Sequence, residues 1–367
     1  MDNVDIVDTV DMVDENRVEG LRMKTKWAVW GSGGIARRRT IPEGIAAAKN
    51  AELTAVFDIN SAANTEVAAQ FGAKACANEE ELLGCDADVI YVATPAWLHC
   101  SQVKRAAAAG KHVLCEKPLG MTVAESDEMI DACASAGVKL GTGFMMRFHS
   151  QHQAALELVR SARLGTPVFG RAQLSCWYPP IDGAWRQIPM QGGGGSLMDL
   201  GGHCIDLLEM FFGRVRSVCC LTGNLVQNYA SEDTAVVLLE FASGAKGVVD
   251  CLFCVPDSSS LNRLEIYGSL GSILAEGTIG QGEAGTMVAR LEGEAGGYEA
   301  QQRRDSGGGF MIAPAPVNMY KAEVEAFSQA VIDDEPPPVG GEDGRWSQAV
   351  LAACYESART GSRVTLE

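Results

Sequence analysis

The sequence has no apolar run near the roughly 18 residues that a membrane-spanning helix needs. Its N-terminus is acidic and lacks the apolar stretch of a secretory signal. Positive charge is also scarce, since 30 Lys and Arg face 47 Asp and Glu, for a net charge of −17. Nucleic-acid binding requires clustered Lys and Arg. We therefore predict a cytoplasmic protein with neither a membrane nor a nucleic-acid partner.

Metal-binding patterns are equally scarce. Cys251 and Cys254 form a C-x-x-C within a strand-like stretch, where residues three apart point to opposite faces, and no second C-x-x-C follows. His149 and His152 have no matching carboxylate or third histidine, so they are interpreted as packing or substrate-loop residues. The twelve cysteines are expected to be free thiols in a reducing compartment, and no metal is predicted.

The chain of 367 residues is long enough for two domains, each with its own core. Residues 1–22 carry Val-Asp pairs at a period of three, which fits neither strand nor helix, so we predict an acidic, mobile extension. Residues 23–145 alternate short apolar strands with helices, which predicts an α/β domain with a parallel, doubly wound sheet. Residues 146–367 contain successive strands with few helices between them. They predict an α/β domain with an open, mainly antiparallel sheet, a broad face that favours a homodimer or homotetramer.

A glycine-rich turn joins the first predicted strand to the first helix. Residues 31–36 read Gly31-Ser32-Gly33-Gly34-Ile35-Ala36, a G-x-G-x-x-A pattern. Such a turn allows backbone N–H groups at a helix N-terminus to approach the pyrophosphate of a dinucleotide. The alternative is an ordinary turn between a strand and a helix.

Asp58 ends the second predicted strand, 22 residues after Ala36, where a carboxylate would meet the adenosine ribose hydroxyls. Its charge would repel a 2′-phosphate, which favours NAD over NADP. Residues 37–39 are three arginines that could instead bind a phosphate, although we interpret them as a solvated helix face. The alternative is that Asp58 is a turn residue at a strand end.

Two further patches carry groups suited to proton transfer. Lys117 follows the predicted strand that ends in Cys115-Glu116, at the edge of the sheet where a cofactor binds, and its amine can stabilise negative charge on a substrate oxygen. Asp199 and His203 are four residues apart on a predicted helix, so the carboxylate can orient the imidazole. The alternatives are a solvated lysine in a polar turn, and a capping box in which Asp199 serves the helix end.

Together these residues resemble the Gfo/Idh/MocA family of NAD(P)-dependent oxidoreductases. The matching pieces run in family order over residues 24 to about 365. They are the glycine turn, Ala93-Thr94-Pro95 with His99, Glu116-Lys117-Pro118, Gly143-Phe144 with Arg147, Trp185-Arg186, and Asp199 with His203. The resemblance implies a Rossmann domain followed by an open-sheet domain.

The resemblance also implies roles for individual residues. Lys117, Asp199 and His203 would form the catalytic group. The cofactor would be bound by residues 31–36 and by Asp58, Ala93, Thr94, Pro95, His99, Glu116, Lys117, Arg147, Trp185 and Arg186. The substrate would meet Lys117, Arg147, Trp185, Asp199, His203 and Tyr320. Structural explanations remain open for His99 on a helix turn, for Arg147 in an ion pair and for Trp185 in a core or interface.

The function that follows from the resemblance is hydride transfer between NAD and a secondary alcohol, or its ketone, of a sugar or cyclitol. One alternative is NAD-dependent glycoside cleavage through transient oxidation and elimination. Another, from a different class, is a non-catalytic sensor or regulator that binds NAD.

Overall fold

The computed structural model describes residues 24–294, 296–298, 300–301 and 308–366. The predicted acidic extension at residues 1–22 lies outside them. Within the described ranges, no helix combines the length and the apolar character needed to cross a bilayer.

The first half of the described chain forms a parallel sheet in the order β3-β2-β1-β4-β5-β6. Its strands are β1 (Thr25–Trp30), β2 (Ala51–Phe57), β3 (Lys74–Ala75), β4 (Val89–Val92), β5 (His112–Glu116) and β6 (Leu140–Gly143). All five pairings between neighbours are parallel, which confirms the predicted doubly wound sheet. The two-residue strand β3 is absent from the prediction because it is too short to show a pattern.

Helices cover both faces of this sheet, as a parallel sheet requires. They are a π-helix (Ala36–Ile45), α1 (Ser61–Phe71), α2 (Glu79–Leu83), α3 (His99–Ala108) and α4 (Val123–Ser135). Side chains of β1 alternate between two cores. Trp27 and Val29 pack on one side, whereas Ala28 and Trp30 pack on the other. This period of two fixes which face each helix covers.

The second sheet has the order β14-β13-β12-β11-β7-β10-β9-β8-β15. Its strands are β7 (Pro167–Ser175), β8 (Val215–Gly223), β9 (Thr234–Phe241), β10 (Lys246–Leu252), β11 (Arg263–Gly268), β12 (Gly271–Glu276), β13 (Thr286–Leu291), β14 (Phe310–Met311) and β15 (Val364–Thr365). Among the described strands of this second sheet, only the β7–β10 pairing is parallel, so the predicted mainly antiparallel sheet is confirmed.

Helices pack on one face of this second sheet. The helices of this half are α5 (Ser150–Arg160), α6 (Pro189–Gly192), α7 (Gly202–Phe212), α8 (Met319–Ile332) and α9 (Gly341–Thr360), with a π-helical turn (Leu197–Gly201) leading into α7. On β8 and β9, Leu221 and Leu238 point outward and are 73% and 56% exposed. The homodimer or homotetramer through this sheet remains a prediction.

The end of the chain returns to the first sheet. Val324 and Phe327 of α8 belong to the same core as Trp27, and the Thr25 hydroxyl donates to Ser328 Oγ at 2.9 Å. Helix α9 lies against β6, where a Cβ added at Gly344 would be 2.5 Å from Thr142 Oγ1. The first sheet therefore depends on helices that follow it by more than 170 residues.

All twelve cysteines are free, as predicted. Those on the sheets and helices include fully buried side chains such as Cys115 and Cys251. They behave as small apolar residues of the core.

Candidate active site

A cavity of about 810 Å³ lies where the two sheets meet. Residues at the carboxyl ends of β1, β2, β4 and β5 form one part of its lining, and residues from the second sheet and from α7 form the other. This position agrees with the rule that ligands bind beyond the carboxyl ends of parallel strands.

The glycine-rich turn forms one wall of this cavity. Gly31 has a φ of +91°, and a Cβ added there would lie 2.9 Å from the backbone carbonyl of Ala93. Gly34 has a φ of +49° and faces open space. A Cβ added at Gly33 would lie 3.2 Å from Asp58 Oδ2.

The Asp58 carboxylate accepts two hydrogen bonds from the backbone. Its Oδ2 accepts from the Gly33 N–H at 2.9 Å, and its Oδ1 accepts from the Asn60 N–H at 2.9 Å. The carboxylate therefore fixes the glycine turn. Because a carboxylate oxygen accepts more than one hydrogen bond, both oxygens retain capacity for a ligand.

An ion-pair network joins the two domains inside the cavity. Lys117 Nζ donates to Asp199 Oδ1 and to the Asp199 carbonyl, each at 2.7 Å. Arg186 Nε donates to the same Oδ1 at 3.0 Å. Burial alone raises the pKa of Asp199, but Arg186 and Lys117 outweigh burial and hold that pKa well below its usual range. Asp199 is therefore an ionised carboxylate that anchors two cations.

His203 lines the same cavity but makes no hydrogen bond to Asp199 within the described ranges. Its Nδ1 is enclosed and has no partner among the residues that the structure describes, so Nε2 is the nitrogen that can reach the cavity. Burial, and then the charge of Lys117, lower the pKa of His203 to about 3, although Asp199 opposes them. The imidazole is consequently neutral at neutral pH. The predicted orientation of this ring by Asp199 is not observed, because Lys117 and Arg186 take the carboxylate.

Glu232, which is distant in sequence, binds the backbone at the start of the helix that carries Asp199 and His203. Glu232 accepts from the N–H groups of Gly195 and Leu197, at 2.8 and 3.0 Å, and from the Tyr355 hydroxyl at 2.9 Å. Ser196 makes no side-chain cap and its Oγ is enclosed without a partner. The capping-box alternative for Asp199 is therefore wrong.

Gly201, between Asp199 and His203, allows close packing of the helix. A Cβ at Gly201 would lie 2.8 Å from Leu197 Cδ1 and 3.3 Å from Cys251 Sγ. The helix thus lies close against β10.

Buried hydroxyl and carboxyl groups form another part of the lining. Glu116 accepts from the Tyr91 hydroxyl, which lies 2.9 Å from Thr40 Oγ1. Burial raises the pKa of Glu116 more than Tyr91 and Lys117 lower it. Tyr320 also lines the cavity, and its hydroxyl is enclosed with no partner among the described residues.

His99 lies behind the cavity wall. Its Nδ1 and Nε2 are 2.9 and 3.0 Å from the carbonyl oxygens of Pro118 and Thr94. Burial lowers the pKa of His99, so the ring is neutral and its one N–H donates to one of these carbonyls, between the two loops that bear Thr94 and Lys117. The peptide bond between Lys117 and Pro118 is cis.

Arg147 is placed away from the cavity. Its guanidinium forms a bidentate pair with the buried carboxylate of Asp206 and reaches Asp343 at 3.3 Å. The prediction that this side chain meets cofactor or substrate is replaced by the ion-pair alternative, because Asp206 occupies its donors.

Trp185 and Arg186 form a stacked pair at the cavity. The guanidinium carbon of Arg186 lies 4.1 Å from the ring centroid of Trp185, a cation–π contact. Trp97 meets Trp185 edge to face at 6.3 Å. The pair presents a flat, partly apolar surface beside Asp199.

Most predicted site residues share this one cavity. Those that line it are Gly31, Gly33, Gly34, Ile35, Asp58, Ala93, Thr94, Pro95, Glu116, Lys117, Trp185, Arg186, Asp199, His203 and Tyr320. Ser32, Ala36, His99 and Arg147 do not line it. The prediction missed several lining residues, including Arg38, Met145, Cys176, Tyr178, Asp257 and Asn262. Arg38 follows the glycine turn and offered a signal, whereas the others lie in stretches without a motif.

His149 and His152 form a buried pair with ring centroids 4.5 Å apart. His149 Nδ1 accepts from the Gln151 N–H, and His152 Nδ1 donates to the Met146 carbonyl at 3.0 Å. Across the part of the chain that the structure describes, no three His, Cys, Asp or Glu side chains are arranged to hold a metal ion. The pair is packed in the interior.

Comparison with known proteins gives matches over both halves of the chain. Residues 25–144 match the family described as "Oxidoreductase family, NAD-binding Rossmann fold", and residues 152–274 match the "GFO/IDH/MocA C-terminal domain". The chain is 31% identical over 292 residues to the 1,5-anhydro-D-fructose reductase of Ensifer adhaerens, covering 78% of this chain and 83% of that protein.

Two further proteins are similar over almost their whole length. The D-xylose 1-dehydrogenase (NADP(+)) 2 of Haloferax volcanii is 31% identical over 342 residues, covering 93% of this chain and 99% of that protein. The structure of an aldose-aldose oxidoreductase from Caulobacter crescentus complexed with glycerol has a TM-score of 0.81 and 28% identity, covering 94% and 100% of the two chains.

The buried His152 should make stability depend on pH. Burial lowers the pKa of its imidazole to about 3, below the ordinary 6.5, so the unfolded chain binds this proton more readily. The stability that the neutral ring contributes is complete above 6.5 and declines as the pH falls towards 3. In the window from about pH 6 to pH 4, His152→Gln should reduce the pH slope of the unfolding free energy by about 1.4 kcal/mol per unit.

Urea unfolding at a series of pH values measures this difference. Above about pH 7.5 wild type and variant should have equal slopes, which serves as the control, because the imidazole is then neutral in both states. Equal slopes in the acidic window as well would show that the ring is protonated in the fold.

Proposed function

Because the chain belongs to the Gfo/Idh/MocA family of NAD(P)-dependent oxidoreductases, we propose that it transfers hydride between NAD and a sugar or cyclitol. The reacting group would be a secondary alcohol or its ketone. One observation carries the proposal: a single cavity contains both the glycine turn with Asp58 and the group Lys117, Asp199 and His203.

The residues at the glycine turn fit a dinucleotide. The N–H groups of the first helical residues after Gly33 have no partner within the helix, so they would hold the pyrophosphate at the positive end of the helix dipole. Side chains at Gly31 or Gly33 would collide with Ala93 or crowd Asp58, which explains why the turn is open. Asp58 would accept from the adenosine ribose hydroxyls. When bound, NAD⁺ supplies the hydride acceptor.

Lys117 and His203 would share the proton chemistry. His203 accepts the hydroxyl proton at Nε2, since Nδ1 is enclosed. Lys117 donates to the same oxygen and stabilises its negative charge. Asp199 acts on Lys117, which it holds at 2.7 Å, and on Arg186. Its role is thus to position the cations of the site.

The low pKa of His203 has two consequences for a base. A neutral imidazole is ready to accept a proton, but a pKa of about 3 makes it weak. Lys117 offsets this weakness because it polarises the hydroxyl. The alkoxide that develops beside the ring would in turn raise the imidazole pKa. Both groups are therefore needed for the same step.

The proposal is tested by a cofactor assay on purified protein. NAD⁺ is mixed in turn with D-xylose, D-glucose and myo-inositol, and 1,5-anhydro-D-fructose is mixed with NADH or NADPH. Stoichiometric conversion of cofactor and carbonyl product supports a dehydrogenase or reductase. Cleavage of a glycoside without net NADH would indicate transient oxidation, and cofactor binding without turnover would indicate a sensor. Either of these results rejects the proposal.

Loss of the amine or the imidazole should slow catalysis. Lys117→Ala and His203→Ala are each expected to lower kcat by about 10²-fold or more, the usual scale for an acid–base group, while NAD still binds. Steady-state kinetics and NAD titration measure the two effects. Lys104→Ala, an exposed lysine paired with Glu128, is the matched control and should behave as wild type. Near-normal turnover in both site variants would reject their assignment.

The carboxylate of Asp58 should determine the choice of cofactor. Asp58→Ala is expected to weaken NAD binding and to relax discrimination against NADP, because the charge that repels a 2′-phosphate is lost. Arg38 lines the same cavity, and nothing described pairs with its charge. It would then be available to a phosphate.

The ratio of kcat/KM for the two cofactors measures this effect. Asp58→Asn removes the charge and keeps one of the two backbone hydrogen bonds, because its amide oxygen can still accept from the Gly33 N–H, whereas Asp58→Ala removes both. If charge decides selectivity, Asn and Ala should shift the ratio alike. A ratio that stays at the wild-type value in both variants means that Asp58 does not read the ribose.

A further inference from the structure

One wall of the cavity is made by two segments that hydrogen-bond to each other. The first is residues 175–178, where the chain leaves β7, and the second is the loop of residues 257–262 between β10 and β11. The Ser175 N–H donates to Asn262 Oδ1 at 3.0 Å, and the Trp177 N–H donates to Asp257 Oδ1 at 2.8 Å. Asp257 and Asn262 both line the cavity.

The orientation of the Asn262 amide is fixed by its partners. Oδ1 accepts from a backbone N–H, which can only donate, and from the Ser260 hydroxyl at 2.9 Å. The Nδ2 group therefore remains, with no partner among the described residues, as a pair of donors. The backbone of Asn262 has a φ of +45°, a conformation that Asn tolerates better than most residues. The loop thus places a fixed amide donor on the wall.

Asp257 supplies the complementary group. Its Oδ1 is bound to the Trp177 N–H, whereas its Oδ2 accepts no hydrogen bond from the residues that the structure describes. The two backbone anchors are two residues apart in extended chain, which is roughly 7 Å. Asn262 thus offers a donor and Asp257 an acceptor on the same stretch of the cavity wall, and two hydroxyl groups of one ring can bind them, because each hydroxyl both donates and accepts.

We propose that Asn262 and Asp257 form a subsite for substrate hydroxyls other than the one that reacts. The subsite rests on the proposed function, and it specifies that function, since it requires a substrate with at least two hydroxyls beyond the reacting carbon. Asn262 Nδ2 donates to one hydroxyl oxygen, and Asp257 Oδ2 accepts from the other hydroxyl. These bonds set the rotation of the ring in the cavity and so determine which carbon faces His203.

Two near-isosteric variants test the subsite. Asn262→Asp keeps Oδ1 and the tolerance for positive φ but replaces the donor by an acceptor. Asp257→Asn keeps the bond to Trp177 and replaces the free acceptor by a donor. Each should raise KM about tenfold for the polyol that wild type turns over, with kcat changed less than about twofold. Asn78→Asp, at the N-cap of α2, is the matched control, and thermal unfolding checks that each variant is folded.

The probes are D-glucose, D-xylose and myo-inositol, together with the 2-, 3-, 4- and 6-deoxy forms of D-glucose. In wild type, removal of a recognised hydroxyl should cost about tenfold in kcat/KM, and that cost should disappear in the variant that lacks its partner. Wild-type kinetics in both variants across the panel would overturn the subsite while leaving the proposed function intact.

Calorimetric titration of the same polyols into protein with NADH distinguishes failure of the subsite from failure of the proposed function. If wild type binds a polyol without oxidising any, and either variant loses that binding, the subsite stands and the proposed function fails. If wild type binds none of the polyols, the subsite is rejected together with the function.

Discussion

The shared carboxylate oxygen of Asp199 is the constraint on which the cleft depends. Lys117 comes from the first sheet, Arg186 from the connection that follows β7, and both donate to Oδ1. Such buried charges give little net stability, because the cost of removing them from water offsets their attraction. They do fix a geometry, since loss of any one would leave another uncompensated. The network therefore sets how the two domains face each other, and through it the environment of His203.

Local patterns in the sequence were sufficient to predict the residues that the first domain contributes to the cavity. The glycine turn, Asp58 and Lys117 each follow a strand directly, and parallel strands bring their carboxyl ends together. The other half of the site depends on contacts between distant residues. Glu232 fixes the start of the helix that carries Asp199 and His203 from more than 30 residues away, and Asp206 occupies Arg147. Neither partner carries a motif. The capping-box alternative shows the same limit, because Ser196 satisfied the local pattern while the actual acceptor, Glu232, lies in the loop before β9.

The two sheets contribute different kinds of loop to the site, rigid on one side and variable on the other. The cofactor side is built from short loops that follow buried strands, and His99 ties two of them through backbone carbonyls. The opposite wall comes from the loop between β10 and β11 and from the chain after β7, where side chains rather than strand ends provide the polar groups. Loops of this kind change with little cost to a core. A fold built this way can retain one reaction while its substrate changes.

The contribution of α8 to the first core has a consequence for biosynthesis. Trp27 shares a core with Phe327, and Thr25 hydrogen-bonds to Ser328. Both partners are translated about 300 residues later. At typical rates of synthesis that interval lasts on the order of tens of seconds. During it the part of the first core that α8 covers in the folded protein has no partner from α8, so this core is complete only after the last helices are synthesised.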